Sequence, residues 1–339
     1  MKVSVFGSGA WGTAIALLLN ENGHDVSIWS KFEHEVSILR ERHENPLLPG
    51  VMIPLQIGIL SDIDKAAAGV DAIVVAVPSF AVRETAMALK GRLRDDCVVI
   101  CVSKGIEKDT SCLFSVILRE IFGESVSVVS VSGPTHAEEV SRRIPTACVA
   151  ASENPAVAEF VQELFMNEHF RVYTSSDVVG VELGAALKNV IALSVGVCDG
   201  LGYGDNTTAM LMTRGLAEMA ELCALMGGKK ETLAGLAGLG DLIVTCMSRH
   251  SRNRRAGVLI GKGRTVAEAM EEVGAVVEGY YAAKAAWELS DITGAEMPIC
   301  TEAYKVLHMG KNPETAISDM MRRSKKSEES AGGEEWVTR

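Results

Sequence analysis

The sequence predicts an α/β chain in which a doubly wound parallel sheet precedes an all-α domain. Two observations carry this reading. Short β-branched runs alternate with helical stretches as far as residue 175, as strands joined by crossover helices do. Beyond that point no convincing strand pattern occurs, and helix follows helix. A length of 339 residues accommodates two domains at about 150 residues each. The expected division is 1–175 for the sheet domain and 176–323 for the helical one. Residues 324–339 form a polar tail expected to be disordered.

The first run, KVSVF at Lys2–Phe6, ends at glycine as a buried parallel strand does. Gly7-Ser8-Gly9-Ala10-Trp11-Gly12 follows, then TAIALLLNENG with helical periodicity and Gly23 as its stop. This is GxGxxG with a strand before it and a helix after it, the context in which the motif binds a dinucleotide. Gly7 permits the tight turn, Gly9 lets a pyrophosphate approach the backbone, and Gly12 lets helix and strand pack closely. The sheet is therefore expected to be of Rossmann type. The second strand, DVSIW at Asp25–Trp29, should end where the adenosine ribose lies. NAD-selective sheets place Asp or Glu there, whereas this chain has Ser30 and Lys31. A cation in that place can accommodate a 2′-phosphate, so this reading favours NADP over NAD.

Further strands are expected at 72–77, 97–103, 125–132, 145–151 and 170–175, the last two bracketing a helix at 155–167. Ligands in such sheets sit beyond the carboxyl ends of the strands. Lys104 and the Gly133-Pro134-Thr135 turn therefore stand on the ligand side. After residue 175, helices are expected at 207–226 (capped by Asn206 or Thr207), 265–273, 280–292 and 316–321. Glycine-rich bends separate them at 199–206 and 235–241.

Composition narrows the class of protein. A formal charge of −11 disfavours nonspecific binding to nucleic acid or an anionic membrane. The eight cysteines contain no CxxC pair and scatter through apolar segments, which reads as reduced core thiols and neither a disulfide framework nor a zinc site. The start runs from Met1-Lys2 straight into a strand pattern, so no signal peptide is visible and a cytoplasmic protein is expected.

The stretch 178–198, VVGVELGAALKNVIALSVGVC, is apolar apart from Glu182, Lys188 and Asn189. It is long enough to span a bilayer, but an interior Glu-Lys-Asn set argues for a buried helix in a soluble protein. Burying an ammonium without a partner costs several kcal/mol, so Lys188 needs a reason to be there. Gly184 and Ala185 share its face and leave room for a small ligand. The competing reading is a core helix whose lysine snorkels to the surface. Other candidates for chemistry are Lys104, Asn189, Asp241, Thr245, Ser251, Arg252 and Asn253. Two lysines and an arginine in a dinucleotide-binding chain suit an anionic substrate whose carbonyl must be polarised. A guanidinium fork suits phosphate or carboxylate, and Ser251 and Asn253 can add neutral donors. For the basic cluster at 249–255 the competing reading is a solvated face.

The chain resembles the bacterial-type NAD(P)-dependent glycerol-3-phosphate dehydrogenase family over residues 1 to about 323. The resemblance rests on GSGAWGTAIA at 7–16, SKGIE at 103–107, SGPTHAEE at 132–139 and ELGAALKNVIAL at 182–193. It continues in RGLAEM at 214–219, GLAGLGDLIVTC at 235–246, SRNRR at 251–255 and VVEGY at 276–280. Thr135-His136 departs from the family, which often has Ser or Thr then Phe after SGP. The resemblance implies a Rossmann domain followed by an all-α domain of the 6-phosphogluconate-dehydrogenase type. It also implies reversible reduction of dihydroxyacetone phosphate to sn-glycerol 3-phosphate by NADPH or NADH, supplying glycerophospholipid synthesis. Lys188 would be the proton donor and acceptor. Lys104, Gly133, Thr135, Asp241, Ser251, Arg252 and Asn253 would line the glycerol phosphate site. Gly7, Gly9, Ala10, Trp11, Gly12, Lys31, Lys104, Ala137, Arg252, Val276 and Glu278 would touch the dinucleotide. No metal is implied, and a homodimer is expected from the resemblance alone. Two alternatives remain at this stage: a β-hydroxyacid dehydrogenase, and a non-catalytic NAD(P)-binding regulator. The intact Lys104, Lys188, Asp241 and Arg252 argue against the second.

Overall fold

The computed structural model describes residues 1–123, 126–325 and 327–328. The expected tail falls mostly outside these residues, as does Ser125 at the start of the expected strand 125–132. The chain divides into two compact units, Met1–Ala185 and Ala186–Arg339.

The first unit is built on one eight-stranded sheet. Its strands are β1 (Lys2–Phe6), β2 (Asp25–Trp29), β3 (Gly58–Leu60), β4 (Ala72–Val75), β5 (Val98–Cys101), β6 (Ser127–Ser132), β7 (Thr146–Ala151) and β8 (Phe170–Ser175). They run in the order β3-β2-β1-β4-β5-β6-β7-β8. The reversal between β1 and β4 creates the crevice at which doubly wound sheets bind nucleotides. The helices are α1 (Ala10–Glu21), α2 (Glu33–Arg42), α3 (Ile63–Ala67), α4 (Val82–Leu89), α5 (Phe114–Phe122), α6 (Ala137–Val140) and α7 (Pro155–Phe165). Strand pleating sends alternate side chains to opposite faces. Ala72 and Val74 of β4 accordingly join one buried cluster with Val3, Val5 and Ile15. Ile73 and Val75 join the other with Phe6 and Leu118.

Two features of the sheet differ from the expectation. Strand β3 has only three residues, too few for a legible alternation. Strand β7 runs antiparallel to β6, while all other pairs are parallel. A parallel return needs a crossover of a dozen or more residues, usually helical. Between β6 and β7 the only helix is the four-residue α6, so the chain turns back antiparallel.

The second unit contains no strand among its described residues. Helix α8 (Val178–Gly200) runs through the division, so the division falls inside a helix and not at 175/176. The physical reason is Glu182, whose carboxylate accepts from Ser115 N at 2.9 Å, Ser115 Oγ at 2.6 Å and Ser130 Oγ at 2.7 Å. These bonds keep the first turns of α8 on the sheet, although burial pushes the Glu182 carboxyl up. The remaining helices are α9 (Asp205–Leu225), α10 (Lys230–Leu233), α11 (Asp241–Met247), α12 (Arg252–Gly261), α13 (Val266–Val273), α14 (Glu278–Thr293), α15 (Pro298–Met309) and α16 (Pro313–Met321). Helix α9 begins earlier than expected, with Gly204 and not Asn206 or Thr207 at its cap. The bend at 235–241 is a π-helical segment, Leu236–Gly240, leading directly into α11.

Helix α8 is the one described helix long and apolar enough to cross a membrane, and it is core. It crosses α12 on small residues. A Cβ at Gly257 would lie 2.1 Å from the Leu193 carbonyl oxygen, and one at Gly196 2.2 Å from that of Arg254. The eight cysteines are all free thiols, seven of them buried.

Glu218 of α9 is a second buried carboxyl. It accepts the backbone N–H groups of Ile299 at 2.8 Å and Cys300 at 3.2 Å, capping the first turn of α15. Burial pushes this carboxyl up to about 8, against 4.5 for an ordinary glutamate. The folded chain therefore holds a proton there that the unfolded chain has released, and stability falls as pH rises from about 4.5 to about 8. Glu218→Gln keeps one of the two accepting oxygens and removes the titration. Its melting temperature should decline less steeply across that window than that of the native chain, and parallel profiles would refute the assignment.

Candidate functional site

The glycine turn is shaped for close approach. Gly7 has φ +130°, and a Cβ there would lie 2.5 Å from the Ala76 carbonyl oxygen. At Gly12 a Cβ would lie 2.0 Å from the Gly7 carbonyl oxygen, so the turn closes only on glycine. Gly9 differs, because nothing lies within 4 Å of its added Cβ. That open space sits at the N-cap of α1, where no side chain caps the first turn. An uncapped helix N-terminus beside an unobstructed backbone is what a pyrophosphate requires, so the residues present fit a dinucleotide. Asn45, buried, holds the turn from behind, donating to the Ser8 carbonyl at 2.8 Å and to Thr13 Oγ1 at 2.6 Å. Ala10 opens the helix, and Trp11 donates from Nε1 to the Val102 carbonyl at 3.3 Å.

The loops after β5 and β6 meet through Lys104. Its Nζ donates to the Gly133 carbonyl at 2.8 Å and to Thr135 Oγ1 at 3.1 Å. Thr135 Oγ1 in turn donates to the Gly133 carbonyl at 3.1 Å. Ala137 is buried as the first residue of α6. Lys31, in contrast, stands apart from these residues. It forms an exposed ion pair with Glu84, so the cation expected for a 2′-phosphate already has a carboxylate partner.

In the second unit Lys188 is only 5% exposed, which overturns the snorkelling alternative. Its Nζ lies 2.9 Å from Asp241 Oδ1 and donates to Thr245 Oγ1 at 2.8 Å. Thr245 sits one turn beyond Asp241 on α11 and donates back to the Asp241 carbonyl at 2.6 Å. The π segment delivers Asp241 as the first residue of α11. It packs tightly at Gly238, where a Cβ would lie 2.1 Å from the Leu233 carbonyl oxygen. Such irregular turns recur at functional positions. The neighbouring Cys246 thiol is pushed up to about 12 by burial, with the Lys188 charge opposing.

The basic cluster at 249–255 is sorted by helix α12 into separate roles. Ser251 is the N-cap, its Oγ accepting from Arg254 N at 3.2 Å. Asn253 is buried in an amide clasp. It donates to Asn189 Oδ1 at 2.9 Å and accepts from Gly279 N at 2.8 Å, so its side chain joins α8, α12 and α14. Arg254 pairs with Asp199 at 2.6 Å. Arg249, Arg252 and Arg255 are all exposed, and Arg252 is the one that forms the first residue of α12, at its N-terminus. That placement suits an anion. Glu278 begins α14, with half-buried Val276 just before it. Asn189 and Thr245 are the residues whose site geometry exceeds their weight in the sequence reading. Their signal was adjacency to Lys188 and the i, i+4 spacing from Asp241.

A buried ammonium whose carboxylate is removed is strongly destabilising, whereas replacing both members by apolar groups is often tolerated. Asp241→Ala should therefore cost about 3–5 kcal/mol in denaturant melts, and Lys188→Met with Asp241→Leu should recover most of it. Additive losses in the double variant would show that the pair is not coupled.

The family model described as NAD-dependent glycerol-3-phosphate dehydrogenase N-terminus matches residues 2–158, and the corresponding C-terminus model matches 177–318. A Clostridium perfringens protein named glycerol-3-phosphate dehydrogenase (NAD(P)+) is 49% identical over 329 residues, covering 97% of this chain and 99% of the relative. One of the same name from Agathobacter rectalis is 51% identical over 332 residues, covering 97% and 98%. A crystal structure of glycerol-3-phosphate dehydrogenase from Coxiella burnetii superposes with TM-score 0.92 at 35% identity, covering 95% of this chain and 99% of that one.

Proposed function

The chain belongs to the NAD-dependent glycerol-3-phosphate dehydrogenase family, and from that premise we infer what its site residues do. It is an NAD(P)-dependent oxidoreductase that interconverts dihydroxyacetone phosphate and sn-glycerol 3-phosphate. Its product supplies the backbone for glycerophospholipid synthesis. When bound, the nicotinamide dinucleotide supplies the hydride that reduces C2 of the substrate. The chain's own residues supply everything else: binding, orientation and the proton.

The observation that carries this reading is the buried Lys188 ammonium held by Asp241 and Thr245. As C2 is reduced, negative charge grows on its oxygen. A positioned ammonium stabilises that charge and donates a proton from Nζ; in the reverse direction it takes the proton back. Asp241 and Thr245 fix where the Lys188 Nζ points, so little reorganisation is needed as the charge develops. Arg252 holds the phosphate, and binding energy at that remote group positions the reacting carbonyl. Ser251 sets the helix start on which Arg252 stands, and Asn253 locks that helix against Asn189. Lys104, braced by Gly133 and Thr135, contacts both substrate and cofactor. The Gly7–Gly12 turn receives the pyrophosphate.

Lys188→Ala should lower kcat with dihydroxyacetone phosphate by about a thousandfold while leaving dinucleotide binding intact. Near-normal turnover in that variant would rule the mechanism out. Arg252→Ala should act mainly on KM for the phosphorylated substrate, raising it roughly a hundredfold, the scale of a lost charge-assisted bidentate contact. An unchanged KM would remove Arg252 from the phosphate site.

A further inference from the structure

The end of β2 carries an arrangement that the reaction does not account for. Glu35, in the first turn of α2, reaches back to accept from Ser30 Oγ at 2.5 Å and from Ser8 Oγ. Ser30 follows the last residue of the second strand and Ser8 lies inside the glycine turn, so these are the two places that border the adenosine ribose in a sheet of this type. Both hydroxyls converge on Oε2. Glu35 Oε1 has no protein partner among the described residues, and the side chain is half-exposed. Two cations at this edge are engaged: Lys31 with Glu84, and Arg40 with the Ile59 carbonyl at 3.0 and 2.7 Å and with Glu33 at 3.8 Å. Three carboxylates, Glu33, Glu35 and Glu84, therefore face two cations that are already paired.

We propose that Glu35 sets the dinucleotide preference, accepting the ribose 2′-hydroxyl of NAD(H) and repelling the 2′-phosphate of NADP(H). The inference rests on the family reading for the presence of a dinucleotide, and it reverses the preference that Ser30-Lys31 suggests by position alone. A hydroxyl can donate to the vacant carboxylate oxygen, whereas a phosphate cannot, and like charges at hydrogen-bonding distance discriminate by repulsion.

Direct titration of the full chain with NAD+ and with NADP+, followed by calorimetry without substrate, tests this. NAD+ should bind at least about tenfold more tightly than NADP+, and Glu35→Gln should narrow that ratio to within roughly threefold. Glu35→Gln keeps the acceptor for Ser8 and Ser30, and its circular dichroism melt reports whether the fold persists. Equal binding of the two cofactors by the native chain would overturn the proposal, as would a ratio unmoved in Glu35→Gln. Selective loss of NADP+ affinity in Lys31→Ala would overturn it too. Because no substrate is present, absent turnover with dihydroxyacetone phosphate would count against the reaction and not against Glu35.

Discussion

Two ionisable groups in an otherwise apolar helix set the terms for much of this structure. Helix α8 is buried nearly throughout, yet it carries Glu182 and Lys188. Removing a charge from water costs several kcal/mol after relaxation unless partners replace the lost hydration. Each group therefore dictates what must pack against it. Glu182 collects three hydrogen bonds from Ser115 and Ser130, two of them from Ser115 in the first turn of α5, where a carboxylate also meets the positive end of the helix dipole. Lys188 collects Asp241 and Thr245 from a single turn of α11. An apolar residue at either position would pack more cheaply, but it would leave those neighbours without a reason to converge.

Small residues make the convergence possible. Gly196 and Gly257 let α8 and α12 approach until backbone meets backbone, leaving no room for a methyl group. The same closeness brings Asn189 within reach of Asn253, and Gly279 admits both. A side-chain amide offers two donors and two acceptor sites, so one Asn253 can join three helices. Rigidity of this kind is what a proton-transfer group needs, because misplacement by an ångström lowers rate far more than it lowers stability.

The strands β1, β2 and β8 were legible to the residue, since each is a β-branched run bounded by turn residues. The turn at Gly7–Gly12 was legible because its flanks matched. Strand β3 was not, because three residues carry no period. Helices α11, α12 and α15 were not either. Their starts at Asp241, Arg252 and Pro298 follow glycine-rich or polar stretches that read equally well as loop. Within the site, Lys188 and Asp241 could be proposed from residue type, but their pairing spans a distance in sequence that no local pattern reports. Asn253 shows the limit most plainly: a polar residue in a basic run reads as a ligand donor, and nothing local in the sequence reports that its amide also bonds Asn189 and Gly279.

The ribose edge fails for a different reason. The familiar rule looks for a carboxylate at the end of the second strand, and just beyond Trp29 the chain has Ser30. The rule concerns a position in space, however, and a helix that starts soon after the strand can return a later residue to it. Glu35 follows Ser30 by little more than one helical turn, and its carboxylate folds back over the strand end. Acidic residues in a first turn are also favoured by the helix dipole, so Glu35 needs no lysine to hold it there. Lys31, adjacent in sequence, points to Glu84 instead. The residue that governs charge at this edge is thus the one nearest in space, and the strand-end rule holds once it is read as a statement about where an oxygen lies.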